Sequence, residues 1–238
     1  MDFQKVTAVA TRRGIFQPAF DAYGGLAGFY DYGPVGVRMR RRILEVWRKH
    51  YIIDAGCLEL DGALIGPETL FQASGHLGEF DDALVDCPDC GKQFRADHLV
   101  EDGDALTREN LAKAVSKTAC PNCGAELSEL KAFNLMFSTG VGSGRGAPGY
   151  LRPETAQNIF LAFPWLLRQN RGKLPFAGAQ IGRAFRNEIS PRQGPLRMRE
   201  FTQMEVEHFF LPGDEPGLSG SLKNVNITLV PAKGKKTT

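Results

Sequence analysis

Two cysteine pairs constrain this chain more than any other feature. Cys87-Pro88-Asp89-Cys90-Gly91 and Cys120-Pro121-Asn122-Cys123-Gly124 repeat one five-residue pattern, and 29 residues separate them. In each, the glycine after the second cysteine lets a tight turn close, so that both thiols face a common point. Four thiolates at this spacing suit tetrahedral zinc. A site closed by four cysteines keeps no open coordination position, so its role is structural. The competing readings are four free buried thiols or a redox pair. The fifth cysteine, Cys57, stands alone in an apolar run and reads as a core residue.

The knuckles mark off residues 82–131 as a zinc-binding insertion. The chain has 238 residues, 42% of them hydrophobic, enough for one substantial core and a small appendage. Residues 1–81 then form the first part of that core, 132–212 the second, and 213–238 a flexible basic tail rich in Gly, Ser, Asn and Lys. Within the tail, Val225 to Val230 has the composition of an edge strand. The net charge of +2 points to no class of partner. No run of about 18 apolar residues exists, and Met1 to Arg13 mixes Asp2, Lys5, Arg12 and Arg13 without an apolar stretch. A cytoplasmic protein without membrane contact is expected, and the paired cysteines fit a reducing compartment.

Local patterns fill in the elements. Residues 1–32 are rich in glycine and aromatics and read as irregular backbone packed by rings. Gly33-Pro34 opens a helix to about Tyr51, with Met39, Ile43, Val46 and Trp47 as its apolar stripe. Arg38, Arg40, Arg41, Arg42, Arg48 and Lys49 cover the rest, either as a solvated face or as a nucleic-acid contact. Cys57 to Ile65 reads as one strand ending at Gly66-Pro67. Thr107 to Ser116 has a polar helical pattern. Pro153-Glu154-Thr155 starts a helix carrying Ile159, Phe160 and Phe163, which Pro164 interrupts.

Gly178 to Ile189 and Phe201 to Phe210 read as the arms of a long antiparallel hairpin around the loop Ser190 to Pro195. Arg186 and Glu188 are expected to share one face of the outgoing strand, and Gln203 and Glu205 one face of the returning strand. Five arginines (Arg183, Arg186, Arg192, Arg197, Arg199) lie near this loop. They suit bidentate binding of a polyphosphate, or else lace an exposed hairpin with salt bridges.

The runs Ala73-Ser74-Gly75-His76, Phe133-Asn134-Leu135-Met136-Phe137, Tyr150 to Gln157 (Tyr-Leu-Arg-Pro-Glu-Thr-Ala-Gln), Phe185-Arg186-Asn187-Glu188 and Arg199 to Glu205 (Arg-Glu-Phe-Thr-Gln-Met-Glu), together with Gly66-Pro67, occur in an order that resembles the homodimeric class II glycyl-tRNA synthetases. The knuckles sit where archaeal-type members carry a similar pair. The resemblance covers about residues 5–210 and implies an α+β fold: a partial class II synthetase antiparallel sheet with flanking helices and a zinc-knuckle insertion. It also implies a homodimer built on the helix from Pro34.

The same resemblance assigns a site. Arg186 is similar to the arginine that binds the α-phosphate of ATP and the amino-acid carboxylate, and Glu188 to the glutamate at the adenine amino group. Arg197 would face the γ-phosphate and Phe201 would stack on adenine. Asn187, Leu196, Met198, Arg199 and Glu200 complete the implied ATP site. Glu154 and Glu205 are similar to the carboxylates that grip the ammonium of glycine, with Arg152, Gln203 and Gln72 nearby. Implied cofactors are ATP as substrate, Mg²⁺ and structural Zn²⁺, and implied partners are glycine, ATP and tRNA through its acceptor stem. The implied activity is formation of glycyl adenylate, followed by transfer to tRNA. The alternative is a non-catalytic dimeric paralogue or fragment that acts as a tRNA- or partner-binding module. Only 28 residues follow Phe210, and neither the third class II motif nor an anticodon-binding domain is found among them, which implies a fragment of the family plan with weak turnover. Asn158 stands where the family has glycine after Ala-Gln.

Overall fold

The computed structural model describes residues 2–143, 146–191 and 194–214, leaving aside the side chain of Asp104. Arg192 and the expected edge strand at Val225 to Val230 lie outside the described residues, as does most of the expected tail. In chain order the elements are α1 (Phe3–Arg12), β1 (Phe16–Pro18), β2 (Tyr30–Tyr32), α2 (Pro34–Arg48), β3 (Leu58–Leu60), β4 (Ile65–Pro67), α3 (Glu68–Ala73), α4 (His76–Glu79), β5 (Asp81–Asp86) and β6 (Gln93–Arg95). They continue with α5 (Arg108–Val115), β7 (Lys131–Asn134), β8 (Phe137–Val141), β9 (Ala147–Leu151), α6 (Ala156–Leu161), α7 (Phe163–Gln169), β10 (Phe176–Phe185) and β11 (Glu200–Phe209). The architecture is α+β, with sheets that are antiparallel except where β3 runs parallel to β10.

The β10–β11 hairpin is the spine. Ten residue pairs run without a break from Phe176↔Phe209 to Phe185↔Glu200. Directly opposed residues share a face, so Phe201, Gln203, Glu205, Glu207 and Phe209 stand beside Ala184, Gly182, Gln180, Gly178 and Phe176. Ile159 and Leu166 of α6 and α7 cover the lower part of this face together with Leu60 and Phe176, and Phe163 and Phe209 pack beside them. A methyl group on Gly178 would collide with Ile159 and Leu166, so glycine there sets how closely the helices approach. On the opposite face Ala177, Ala179 and Cys57 are buried against Trp47, Tyr51, Ile52 and Val206. Burial pushes the Cys57 thiol up, as befits a core cysteine.

Four expectations are corrected. Residues 3–12 are helical, because Asp2 accepts hydrogen bonds from the main-chain N–H groups of Gln4 and Lys5 as an N-cap. Tyr23 and Phe20 in the following segment are exposed instead of packed. The run Cys57 to Ile65 is two strands in two sheets, β3 beside β10 and β4 beside β9, since the chain leaves the first sheet at Asp61-Gly62. In α2 the apolar stripe is divided: Trp47 packs inside the chain at 4.9 Å from the Tyr51 ring, whereas Met39, Ile43 and Val46 are more than half exposed. Arg186 and Glu188 lie just past the end of β10 and not within it.

Pro164 falls in the first turn of α7, where its missing N–H costs nothing, so it separates two helices without distorting either. The polar helix between the knuckles is α5, capped by the Thr107 hydroxyl at the Asn110 N–H. Among the described residues no helix is long and apolar enough to cross a membrane.

Candidate functional site

The knuckle region has a small core and sheet of its own. β5 pairs with both β6 and β7, and Val85, Phe94, Ala96, Leu111 and Val115 pack around Cys87 and Cys120. The two knuckles are built alike. The Gly91 N–H donates to the Cys87 carbonyl and the Gly124 N–H to the Cys120 carbonyl, both at 2.9 Å, and both glycines have positive φ, +67° and +80°. All four sulfur atoms lie within 4.8 Å of one another, with Cys87 to Cys123 at 3.5 Å and Cys90 to Cys120 at 3.8 Å. A tetrahedron with Zn–S bonds of about 2.3 Å has edges of about 3.8 Å, so the thiol cage has the dimensions zinc requires. The Lys92 main-chain amide, followed by contacts with Cys87, Asn122 and Cys123, brings the Cys90 thiol down to about 6. The donor set is therefore suited to a soft or borderline divalent metal.

The second cluster lies on the upper part of the hairpin face. β9 ends at Leu151, and the segment Arg152 to Thr155 crosses the sheet before α6 begins. The crossing is held by Arg152, which is 2% exposed. Its Nε donates to the Arg183 carbonyl at 2.8 Å, and its Nη1 to the Gly62 carbonyl at 2.9 Å and to Asn158 Oδ1 at 3.2 Å. The Gln180 side-chain oxygen, in the orientation that satisfies its neighbours, also accepts from Arg152 Nη1 and from the Gly62 N–H, each at 2.7 Å. Arg152 thus ties three segments together. Asn158 adds to this tie: it accepts from Arg152 and its amide reaches the Ala63 carbonyl.

Thr155 is fully buried and presents both its N–H (2.8 Å) and its hydroxyl to Glu205 Oε2, while Glu205 Oε1 accepts from Gln203 Nε2 at 2.7 Å. Glu154, the residue before Thr155, accepts from Gln157 Nε2 at 2.7 Å. It lies 3.6 Å from His76 Nε2 and 3.9 Å from Arg186 Nη2. The two glutamates are thus organised in parallel ways, each holding one glutamine amide N–H₂. The amide oxygens of Gln157 and Gln203 are both buried with no hydrogen-bond partner. Unsatisfied buried acceptors are costly, and beside two carboxylates they call for a donor-rich cation. Glu207, next on the same face, has its carboxyl pushed up by burial and then by repulsion from Glu205 and Glu154.

Arg186 closes this cluster. Its Nε donates to the Pro153 carbonyl at 3.1 Å, and its guanidinium stands over the Phe80 and Phe201 rings at 5.4 and 5.5 Å. Glu188 turns the other way and pairs with Arg197 at 3.6 Å. Arg199 donates to the Glu188 and Ala27 carbonyls at 2.8 Å each, Met198 is buried and Leu196 is exposed. Glu200 pairs with Arg183 at 3.5 Å. The Asn187 N–H donates to the Leu135 carbonyl at 2.8 Å. Gln72 is exposed on α3. Of the residues singled out from the sequence, Glu154, Gln203, Glu205, Arg186 and Phe201 come together. Arg152 supports them from below, its Nε and Nη1 donating to the carbonyls of Arg183 and Gly62 and to the side chains of Asn158 and Gln180. Thr155, Gln157, His76 and Phe80 are part of the cluster and were not singled out. For Thr155, Gln157 and His76 the signal was present, since they belong to the Arg-Pro-Glu-Thr-Ala-Gln and Ala-Ser-Gly-His runs.

The tRNA synthetase class II core domain (G, H, P, S and T) matches residues 145–226, which include this hairpin. A glycine–tRNA ligase of Methanothrix thermoacetophila is 51% identical over 216 residues, 88% of this chain and 37% of the relative. One from Methanococcus maripaludis is 42% identical over 98% of this chain and 42% of the relative. The chain is class II glycyl-tRNA synthetase-like. It spans about two fifths of the length of these curated relatives. Among solved structures, the RNA binding domain of threonyl-tRNA synthetase from Cryptosporidium parvum Iowa II superposes with a TM-score of 0.54 at 18% identity, over 87% of this glycyl-tRNA synthetase-like chain and 37% of the other. That likeness is one of fold, and it places the α+β arrangement among the class II synthetase structures.

Proposed function

We propose that this chain forms the ATP- and glycine-binding part of a glycine–tRNA ligase and makes glycyl adenylate. The observation that carries the reading is the pair of glutamate–glutamine units beside Arg186. Glu154 and Glu205 supply two anions, and Gln157 and Gln203 supply two unpaired buried oxygens, a set of acceptors that a small ammonium would suit. The neighbouring Arg186 guanidinium, already held at the Pro153 carbonyl, suits both the glycine carboxylate and the α-phosphate of ATP.

In this reading the glycine carboxylate attacks the α-phosphorus in line, a P–O bond forms, and pyrophosphate leaves with the electrons of the broken P–O bond. No general base is required, because the carboxylate is ionised at neutral pH. Arg186 stabilises the charge that grows on the α-phosphate, Phe201 supports adenine, and Glu188 and Arg197 serve the adenine and γ-phosphate ends, with Asn187, Leu196, Met198, Arg199 and Glu200 framing the nucleotide. Mg²⁺, when bound with ATP, neutralises the leaving pyrophosphate. Arg152 and Gln72 act around the glycine, Arg152 by holding the crossing segment. Cys87, Cys90, Cys120 and Cys123 hold a structural Zn²⁺ in the insertion 82–131, between core segments 1–81 and 132–212. Four cysteines kept for a metal fit a reducing compartment, so the protein is read as cytoplasmic.

The exposed ridge Val35, Met39, Ile43 and Val46 of α2 is read as the face of a homodimer. Light scattering should then give about twice the 26.1 kDa chain mass at micromolar concentration. The acceptor stem of tRNA is the third partner. The test of the whole reading is glycine-dependent exchange of pyrophosphate into ATP. Exchange that requires glycine supports it. Its absence, with ATP and glycine both unbound in titration, leaves the non-catalytic binding module as the surviving reading.

A further inference from the structure

The stretch after β10 leaves the strand ladder at Phe185, and neighbouring elements hold it from there on. The β7 end takes Asn187 through Leu135. Ser190, whose φ of +43° is unusual for a residue with a side chain, donates its hydroxyl to the Gln93 carbonyl of β6 at 2.7 Å. Ile189 beside it is buried. A cleft of about 280 Å³ runs between the two partners, lined by Phe94, Arg95 and His98 on one side and Ile189, Ser190 and Arg197 on the other.

Charges from both sides interleave across this cleft. Arg95 holds Asp97 through two nitrogens, at 3.0 and 2.5 Å, and reaches Asp82 at 3.2 Å. Asp97 also lies 3.9 Å from His98. The hydrogen bond to Asp97 holds Arg95 in its charged form, with Glu188 adding a small share from the far side; burial pushes the Asp82 carboxyl up, against the pull of Arg95 and, more weakly, of Arg197 across the cleft. Gln93 and Arg95 themselves begin two residues after the first knuckle. The Cys87 N–H donates to the Lys92 carbonyl at 2.9 Å, so the turn that presents Cys87 and Cys90 is also the turn of the β5–β6 hairpin.

We propose that the four-cysteine knuckle fixes the position of residues 186–191 through Gln93 and Arg95, and that Arg95 and Ser190 are positioning residues for ATP. Neither touches the reacting atoms. The insertion is thereby part of the nucleotide site, one strand removed from its metal. This inference rests on the reading of residues 186–201 as the ATP-binding stretch.

The test measures three quantities on Ser190→Ala and Arg95→Met: ATP affinity and glycine affinity by calorimetry, and amide hydrogen exchange at residues 186–191. Loss of one such hydrogen bond should weaken ATP about fivefold to tenfold. Glycine, whose carboxylates sit on other elements, should stay within about twofold, and exchange at 186–191 should rise. Withdrawing zinc from the parent chain should raise exchange at the same residues. Arg108→Ala, which breaks an exposed ion pair to Asp81 in the same module, should do neither. Ser190→Ala leaves the buried carboxylates paired and keeps the test open if Arg95→Met does not fold. Unchanged ATP affinity and exchange in both variants overturns the proposal, and so does an equal loss of ATP and glycine binding. If the parent binds no ATP, the functional reading falls. The coupling is then decided by exchange at 186–191 alone: a rise on zinc withdrawal and in Ser190→Ala supports it, and no rise overturns it.

Discussion

The knuckle module and the β10–β11 hairpin solve the same problem, fixing short segments in place, by opposite means. In the module the sheets are three to six residues deep and the core is a handful of side chains, so the rigid element is the cluster of four thiols. In the hairpin ten consecutive residue pairs fix the main chain, and the side chains are released from that duty. That release is why the hairpin face can carry Glu205, Glu207 and the unpaired oxygen of Gln203, groups that weaken a fold wherever packing must supply the stability. A small module with so few core side chains of its own has no such freedom.

Replacing one of the four knuckle cysteines should separate the two regions most. Zinc analysis should find one ion per chain. Cys90→Ser should cost on the order of 10 kcal/mol of folding free energy, the amount structural zinc supplies. Hydrogen exchange should show protection lost over residues 82–131 while β10 and β11 stay protected. Equal loss in both regions would mean that the hairpin, too, depends on the thiol cage.

Next in size is the chemistry proposed for the hairpin face. Arg186→Ala should slow glycyl adenylate formation by about 10²-fold or more, the usual loss for one preorganised charge donor. Arg186→Lys should not restore it, because an ammonium cannot span phosphate and carboxylate with a planar fork. Single-turnover rates equal to the parent's would take Arg186 out of the reaction.

A smaller effect probes the paired glutamates. Glycine should bind and glycolate should not, with a difference of roughly 2 kcal/mol or more for leaving the two anions and two amide oxygens without a donor. Similar titration curves for the two ligands would remove Glu154 and Glu205 from ligand recognition.

The smallest expected effect is in pH. Burial and the nearby Glu205 and Glu154 raise the Glu207 carboxyl above its ordinary value. Its folded form therefore holds a proton that the unfolded chain has already released. Stability falls as pH rises from the ordinary carboxylate value through the raised one. An ammonium beside these carboxylates favours the ionised form, so glycine affinity should increase as pH rises from the ordinary carboxylate value through the raised one. Glu207→Gln should flatten the profile. A parent profile already flat there would mean that Glu207 does not sense the bound ammonium.

What the sequence disclosed depended on how local each device is. The knuckles and the hairpin were legible because five-residue turns and strand alternation are written in neighbouring positions. So was the helix between the knuckles, expected over Thr107 to Ser116 and found at Arg108–Val115. The break at Asp61-Gly62 was not, since β3 and β4 belong to different sheets only once β9 and β10 are in place. Nor was the exposure of Met39, Ile43 and Val46 against the burial of Trp47, because periodicity marks a stripe without saying how much of it the chain itself covers. His76 belongs to the Ala-Ser-Gly-His run, but its approach to Glu154, and that of Phe80 to Arg186, joins positions about 80 and about 105 residues apart, and local spacing does not reveal such a contact.

Arg152 has one further consequence. Its Nη2 occupies the space directly above Gly182, where any Cβ would overlap it. A side chain at position 182 therefore requires the Arg152 guanidinium to leave its bonds, and removing the arginine alone takes the donor from the half-buried carbonyls of Gly62 and Arg183. Either single change is a fault, and only a simultaneous change of both offers a way out. The two sites form a lock with two keys, so a drifting sequence finds few neutral steps there. Libraries that randomise position 152 or 182 by itself should return the starting residue, whereas libraries that vary both should return linked solutions.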